Sequence, residues 1–298
     1  MMTVESYKEG VLEKTLIIIT GPTAVGKTEI AINCAKLFDT DIISCDSRQF
    51  YKEMNIGTAV PSTEELESVK HHLIQHISVH DYYNVSTFEK EALQVLDELF
   101  RTKDVVVMTG GSGMYIDTIC HGIADIPDID FKIREDVKQK YQEFGLEYIQ
   151  KWLQRVDPEY FEQVEISNPQ RVIRGIEIFE QTGEKYSQLR IFKKKKRDFN
   201  IIKICLLRPK EELHKRIHCR VDKMIESGLI EEAKLLHKYK GISALNTVGY
   251  RELFDYFDNK ITLEQAIENI KTNTRRYAKR QLTWFRRSKD YYYINIEN

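Results

Sequence analysis

An apolar run, Thr15-Leu-Ile-Ile-Ile-Thr20, leads directly into Gly21-Pro-Thr-Ala-Val-Gly26-Lys27-Thr28. Ile30, Ala31, Cys34, Ala35 and Phe38 then recur at helical spacing, so the segment reads as strand, loop and helix, the helix covering 27–38. The loop has the G-x-x-x-x-G-K-T pattern. Gly21 and Gly26 let the backbone curl so that several N–H groups point inward, Lys27 adds a cation, and Thr28 offers a hydroxyl to Mg²⁺. The following helix presents its positive end. Gly21, Pro22, Thr23, Ala24, Val25, Gly26, Lys27 and Thr28 therefore form the expected binding loop for a di- or triphosphate, with Thr28 as the metal-facing residue.

The alternation continues. Asp41-Ile-Ile-Ser-Cys-Asp46 reads as a strand, and Ser62 with Glu65 predicts a capping box for a helix reaching about His76. Ser86 with Glu89 repeats that signature ahead of Phe88, Ala92, Val95, Leu96 and Leu99. Asp104-Val-Val-Val-Met-Thr109 is a buried-type strand ending in Gly110-Gly-Ser-Gly113. Such alternation predicts an α/β fold, a parallel sheet with helices on both faces. The pattern changes near Asp125. Residues 125–198 read as an all-helical insertion broken at Asp157-Pro158 and Asn168-Pro169. Asn200–Leu207 reads as a strand rejoining the sheet, and the rest is helical to about Arg287. The expected organisation is 1–124 for the first part of the core, 125–198 for the insertion, and 199–298 for core completion and basic C-terminal helices.

Charge matters here through its distribution. The 298 residues carry a formal net charge of −1. Yet Lys185–Arg197 holds seven basic residues and no acidic one, and Lys271–Lys289 holds eight and none. A neutral chain that segregates its charges this way builds a basic face. Five scattered cysteines without a C-x-x-C suggest neither zinc nor a disulfide framework. The polar N-terminus has no apolar signal core and no apolar run approaches a membrane span, so a cytoplasmic protein is expected.

Ligands of parallel sheets sit beyond the carboxyl ends of the strands. Three such ends carry suitable groups: the glycine loop, Asp46-Ser47-Arg48-Gln49, and Thr109-Gly-Gly-Ser112-Gly113. Asp46 could bind Mg²⁺ through water or take a proton from a nucleophile. Ser112 lies where backbone N–H groups could form a second anion nest. Arg216 and Arg220, four apart on a helix, could reach the same phosphate. Wound at ~100° per residue, Arg275, Arg276, Lys279, Arg280, Thr283, Arg286 and Arg287 fall on one face. Tyr277, Ala278, Leu282, Trp284 and Phe285 fall on the other. An acid-free cationic face points to a phosphate backbone. Arg171 and Arg174 are further candidates for anion contacts, and Lys193–Arg197 is weaker evidence of the same kind. His72 and His76 lack the glutamate of H-E-x-x-H and read as packing or surface residues.

Together these segments resemble the tRNA dimethylallyltransferase (IPP transferase) family of bacterial type. The matching pieces are Gly21–Thr28, Asp46-Ser-Arg-Gln-Phe-Tyr51, Met54-Asn-Ile-Gly-Thr-Ala59 and Gly110-Gly-Ser-Gly-Met-Tyr115. Asn168-Pro-Gln-Arg-Val-Ile-Arg174, Val248-Gly-Tyr-Arg-Glu252 and Ala278-Lys-Arg-Gln-Leu-Thr-Trp-Phe-Arg286 follow in family order. Ser112 replaces the usual threonine, Gln75 a common aspartate and Val60 a frequent lysine, and the zinc-finger tail of eukaryotic relatives is absent. The resemblance implies transfer of a dimethylallyl group from dimethylallyl diphosphate to N6 of the adenosine 3′ of the anticodon, position 37, in tRNA. Pyrophosphate leaves, and Mg²⁺ is the implied cofactor. It implies catalytic roles for Asp46, Lys27, Ser112 and Arg220. Contacts to tRNA are implied for Asp46, Ser47, Arg48, Gln49, Gln170, Arg171, Arg174, Lys279, Arg280, Gln281, Thr283 and Arg286. The expected state is a monomer.

Three other readings share parts of this pattern. A small-molecule kinase would bind ATP at the same loop and use Asp46 on a hydroxyl, but would not need the basic helix. A nucleotide-switched RNA-binding module would leave Asp46 and Ser112 unexplained. A prenyltransferase acting on free adenine nucleotides would not need the basic helix either.

Overall fold

The computed structural model describes residues 13–124, 126–191 and 194–296. The N-terminal tail read for signals, the boundary residue Asp125 and Lys193 of the basic tract lie outside the described residues. The chain divides into two compact units, one from residues up to His121 and from Arg197 onward, the other Gly122–Lys196.

The larger unit is built on one sheet. Its strands are β1 (Thr15–Thr20), β2 (Ile42–Ser44), β3 (His71–His72), β4 (Val105–Thr109), β5 (Asn200–Leu207) and β6 (Tyr291–Asn295). They run in the order β3-β2-β4-β1-β5-β6, and every pairing is parallel. This is the α/β architecture that the alternation predicts. β1 is central because its side chains are apolar on both faces. Leu16 and Ile18 enter one core cluster, Ile17 and Ile19 the other, and all four are buried. Each contributes about 1.5–3 kcal/mol by leaving water.

Helices cover both faces: α1 (Lys27–Leu37), α2 (Thr63–Ser68), α3 (Val85–Phe100) and α4 (Gly113–His121), then α9 (Lys210–Glu226), α10 (Leu229–Leu236), α11 (Tyr250–Phe257) and α12 (Leu263–Phe285). Two helix starts differ in instructive ways. The Ser62–Glu65 capping box forms as expected. Its helix nevertheless stops at Ser68, not near His76, because 71–72 pairs with β2 and His72 Nε2 meets Asp41 at 2.7 Å. The Ser86–Glu89 signature is not a cap. Asn84 caps α3 by accepting from the Thr87 N–H at 2.9 Å. Glu89 is drawn instead to Arg197, whose guanidinium lies 2.6 Å away.

The smaller unit is helical: α5 (Phe131–Val156), α6 (Pro158–Gln163), α7 (Pro169–Thr182) and α8 (Tyr186–Leu189). α5 is interrupted at Gly145, and both proline breaks fall at capped starts, Asp157 before α6 and Asn168 before α7. Its own core joins Val137, Ile149, Trp152, Leu153, Val172 and Ile176. Among the described residues no helix is long and apolar enough to cross a membrane.

Candidate active site

The carboxyl ends of β1, β2 and β4 are tied together by residues at or just past their ends. Thr20 Oγ1 donates to the Gly110 carbonyl (2.8 Å), Thr109 Oγ1 to the Ile19 carbonyl (3.0 Å), and the Cys45 N–H to the Thr109 carbonyl (2.8 Å). This brings the three strand-end loops to one place. Gly21 is required there. Its φ is +144°, and a Cβ would sit 2.6 Å from the Leu206 carbonyl oxygen of β5.

The glycine loop is held from outside as well. Arg208 Nε donates to the Val25 carbonyl at 2.9 Å, and Arg216 Nε to the Ala24 carbonyl at 2.8 Å. Arg208 also pairs with Glu212. From α12, Gln281 accepts from the Thr23 N–H at 2.8 Å and donates to the Gly111 carbonyl at 2.9 Å. Lys27 Nζ donates to the carbonyls of Gly21 (3.2 Å) and Pro22 (2.9 Å). Burial drives the Lys27 pKa down to about 8. Asp46 pulls it up, and Arg220 pushes it further down. Burial also lowers the Arg220 pKa; neighbouring Arg216 adds to this, while Asp46 and Glu65 oppose it. The Tyr277 hydroxyl is raised by burial first and by Asp46 second.

A cavity of about 670 Å³ holds the loop residues Thr23, Lys27 and Thr28, and with them Asp46, Arg216 and Arg220. A smaller one, about 280 Å³, is lined by Ser47, Arg48, Val248, Arg251, Ile270 and Arg280 among others. Asp46, Thr23, Thr58, Ala59, Arg220 and Tyr277 line both. Asp46 is oriented by its own turn, since Oδ1 accepts from the Arg48 N–H at 3.0 Å. Oδ2 has no protein partner among the described residues. The cavity thus sets a carboxylate opposite a lysine and an arginine, with a second space on the same carboxylate.

Mg²⁺ can be tested against these donors. Thr28 and Asp46 supply oxygens to the same cavity. Among the described residues no group of three His, Cys, Asp or Glu could hold a metal by itself. An ion here would take most of its ligands from phosphate and water, which suits Mg²⁺. The residues fit.

Other expected site residues find different surroundings. Ser112 Oγ accepts from the Ser47 N–H (2.9 Å) and donates to Ser47 Oγ (3.0 Å), so it joins two strand-end loops. Arg48 donates to the carbonyls of Ala244 (2.9 Å) and Ser243 (3.4 Å), and Gln49 to those of Thr58 (3.1 Å) and Ala59 (2.9 Å). Gln281 needs correcting. The resemblance implies a tRNA contact for it, but it is buried and both ends of its amide are committed to backbone. Lys279, Arg280, Thr283 and Arg286 are exposed, with Arg280 over the Tyr277 ring. Arg197 also leaves the basic tract: it is enclosed, donating to Glu89 and to the Thr118 and Ile119 carbonyls. In the helical unit, Gln170 and Arg171 open α7, where their N–H groups meet Asn168 Oδ1. Arg171 pairs with Glu165 at 2.9 Å, and Arg174 lies 3.8 Å from Glu177. Arg208 was not foreseen; its only advance signal is its place just after an apolar strand.

Fold and cleft together define a parallel α/β protein with a glycine-rich cationic loop and a carboxylate shared by two adjoining cavities. The sequence profile of IPP transferases matches residues 49–288. The chain is 49% identical to tRNA dimethylallyltransferase 2 of Azobacteroides pseudotrichonymphae, covering 95% of this chain and 94% of that protein. It is 52% identical to the tRNA dimethylallyltransferase of Christiangramia forsetii over 91% and 90%. A solved structure of a tRNA isopentenylpyrophosphate transferase from Bacillus halodurans aligns with TM-score 0.68 at 35% identity, over 95% of this chain and 90% of that one. A eukaryotic dimethylallyltransferase described as acting on tRNA aligns with TM-score 0.79 at 28% identity, over 95% and 74%. The chain belongs to the IPP transferase family. These relatives give the kinase reading no support.

Proposed function

We propose that this protein transfers the dimethylallyl group of dimethylallyl diphosphate to N6 of the adenosine 3′ of the anticodon, position 37, in tRNA. The observation that carries the reading is Asp46, which lines both cavities and faces the charges of Lys27 and Arg220. The diphosphate occupies the larger cavity, its oxygens replacing the Gly21 and Pro22 carbonyls as partners of Lys27. The adenine occupies the smaller one, having left the stack of a single-stranded loop, which costs less than leaving a duplex.

The allylic C–O bond breaks with negative charge gathering on pyrophosphate, and a C–N bond forms to N6. Loop N–H groups, Lys27 and Arg220 stabilise the leaving charge, and the loop backbone needs no rearrangement because Arg208, Arg216 and Gln281 already hold it. Mg²⁺, held by Thr28 and phosphate oxygens, would add charge stabilisation. The N6 lone pair is delocalised into the purine, so a hydrogen bond to Asp46 orients the amine and Asp46 accepts its proton as the bond forms. Exposed Lys279, Arg280 and Arg286 offer a surface for the anticodon stem-loop phosphates.

The test is incorporation of label from radiolabelled dimethylallyl diphosphate into unmodified tRNA with Mg²⁺ present. Asp46→Ala should lower turnover by about 10²–10⁴-fold with tRNA affinity kept. ATP hydrolysis with no label in tRNA would refute the assignment, and equal losses of turnover and affinity would remove the proton-accepting role.

A further inference from the structure

The wall of the smaller cavity at Gly57–Ala59 has little regular structure, a single 3₁₀ turn over Ile56–Thr58. Its position is set by a residue 175 places further along the chain than Gly57. The Glu232 carboxylate, on α10, accepts from three successive backbone N–H groups: Asn55 at 3.1 Å and Ile56 at 2.8 Å on Oε2, Gly57 at 2.9 Å on Oε1. The Tyr250 hydroxyl donates to Oε1 at 2.6 Å. Tyr250 is fully buried, and a Cβ at Gly57 would come 2.6 Å from its ring, so turn and ring are in direct contact. Val248 and Gly249, just before Tyr250, form another part of the same cavity wall. One carboxylate therefore fastens two walls to each other through four hydrogen bonds, each strengthened by an ionised acceptor.

We propose that Glu232 is a positioning residue for the adenine side of the reaction. It holds Thr58 and Ala59 against the segment leading into Tyr250, so that the incoming base meets Asp46 in one orientation. The inference rests on the proposed function's assignment of this cavity to adenine. Glu232 itself lines neither cavity. The glycine loop has separate ties through Arg208, Arg216 and Gln281, none of which passes through Glu232. Thr58 and Ala59 also edge the larger cavity, but the loop that would hold the diphosphate is anchored independently, so loss of Glu232 acts more strongly on the tRNA side than on the diphosphate side.

Glu232→Gln keeps the shape but sets an NH₂ among the three N–H donors, and Tyr250→Phe removes only the hydroxyl. For Glu232→Gln the expected result is a fall of about 30-fold in kcat/KM for tRNA, with KM for dimethylallyl diphosphate changed less than about twofold. The amides of residues 55–57 should exchange hydrogen at least about tenfold faster. Tyr250→Phe should show the same pattern at about threefold, and the double variant should be no worse than Glu232→Gln, because both act through one carboxylate. Unchanged exchange at 55–57 overturns the proposal, as do equal losses in the tRNA and diphosphate parameters. If Glu232→Gln fails to fold, Tyr250→Phe carries the test through the same two measurements. Failure of the parent protein to label tRNA overturns the proposed function and this inference with it. Labelling by the parent with an indifferent Glu232→Gln overturns this inference alone.

Discussion

At Lys27 one ammonium meets opposing demands. The loop needs its charge, and burial opposes that charge, lowering its pKa from 10.5 to about 8. The signs of the two pH effects then differ. For folding, the unfolded chain binds more protons than the native one between about pH 8 and the ordinary lysine value, so this group's contribution to stability rises with pH in that window. For ligand binding the direction reverses. Above about pH 8 the free protein has lost the proton, and a diphosphate must bring it back. Pyrophosphate affinity should fall with pH by up to about tenfold per unit above that point. Lys27→Arg should remove the slope, since guanidinium stays charged. Calorimetric titration with pyrophosphate at pH 7, 8 and 9 checks this; a flat profile in the parent would show that Lys27 keeps its proton throughout. Residue types at this loop were legible in sequence because one lysine and two glycines do local work. The partners of Gln281 and Arg197 were not. Whether a glutamine or arginine in a basic stretch faces water or backbone depends on elements far along the chain.

At the scale of elements, α12 has two jobs. Its inner side buries Ala278, Gln281 and Phe285, and Trp284 Nε1 donates to Asp117 at 2.9 Å. Its outer side exposes Arg276, Lys279, Arg280 and Thr283, with Arg286 and Arg287 exposed just past its end. Reversing charge at Lys279 and Arg280 should weaken tRNA binding and make the plot of log affinity against log salt shallower by about one to two. Filter binding across a salt series measures both, and an unchanged slope would remove this helix from the RNA surface. The helical period of α12 is readable because amphipathic helices carry their signal in every turn. β3 and β6 were missed for the opposite reason. β3 has only two residues, and its extended form comes from pairing with β2. β6 is Tyr291–Asn295, exposed along most of its length, and becomes a strand by pairing with β5. Neither segment repeats long enough to announce itself.

At the scale of the molecule, two hydrophobic cores among the described residues lie on the faces of the sheet and a third is contained in 122–196. The chain has two tryptophans, and each reports on a different unit, Trp152 in the helical core and Trp284 beside the sheet. A unit with its own core can unfold on its own. Single-tryptophan variants, Trp152→Phe and Trp284→Phe, should therefore give different urea midpoints by fluorescence, and coincident curves would show one cooperative body. The membership in the IPP transferase family that the motifs suggested is borne out by the profile and the relatives.

Turns, strand runs, helix faces and the glycine loop were already written in the order of amino acids. Each depends on sterics and periodicity within a few neighbouring positions. Folding alone decided which groups share a cavity and which are spent on holding it. Thr23 and Gln281 are 258 residues apart, and Asn55 and Glu232 are 177 apart. Hydrogen bonds across such separations have no local precursor, because they form only when the sheet and its covering helices have brought both partners within three ångströms or so of each other.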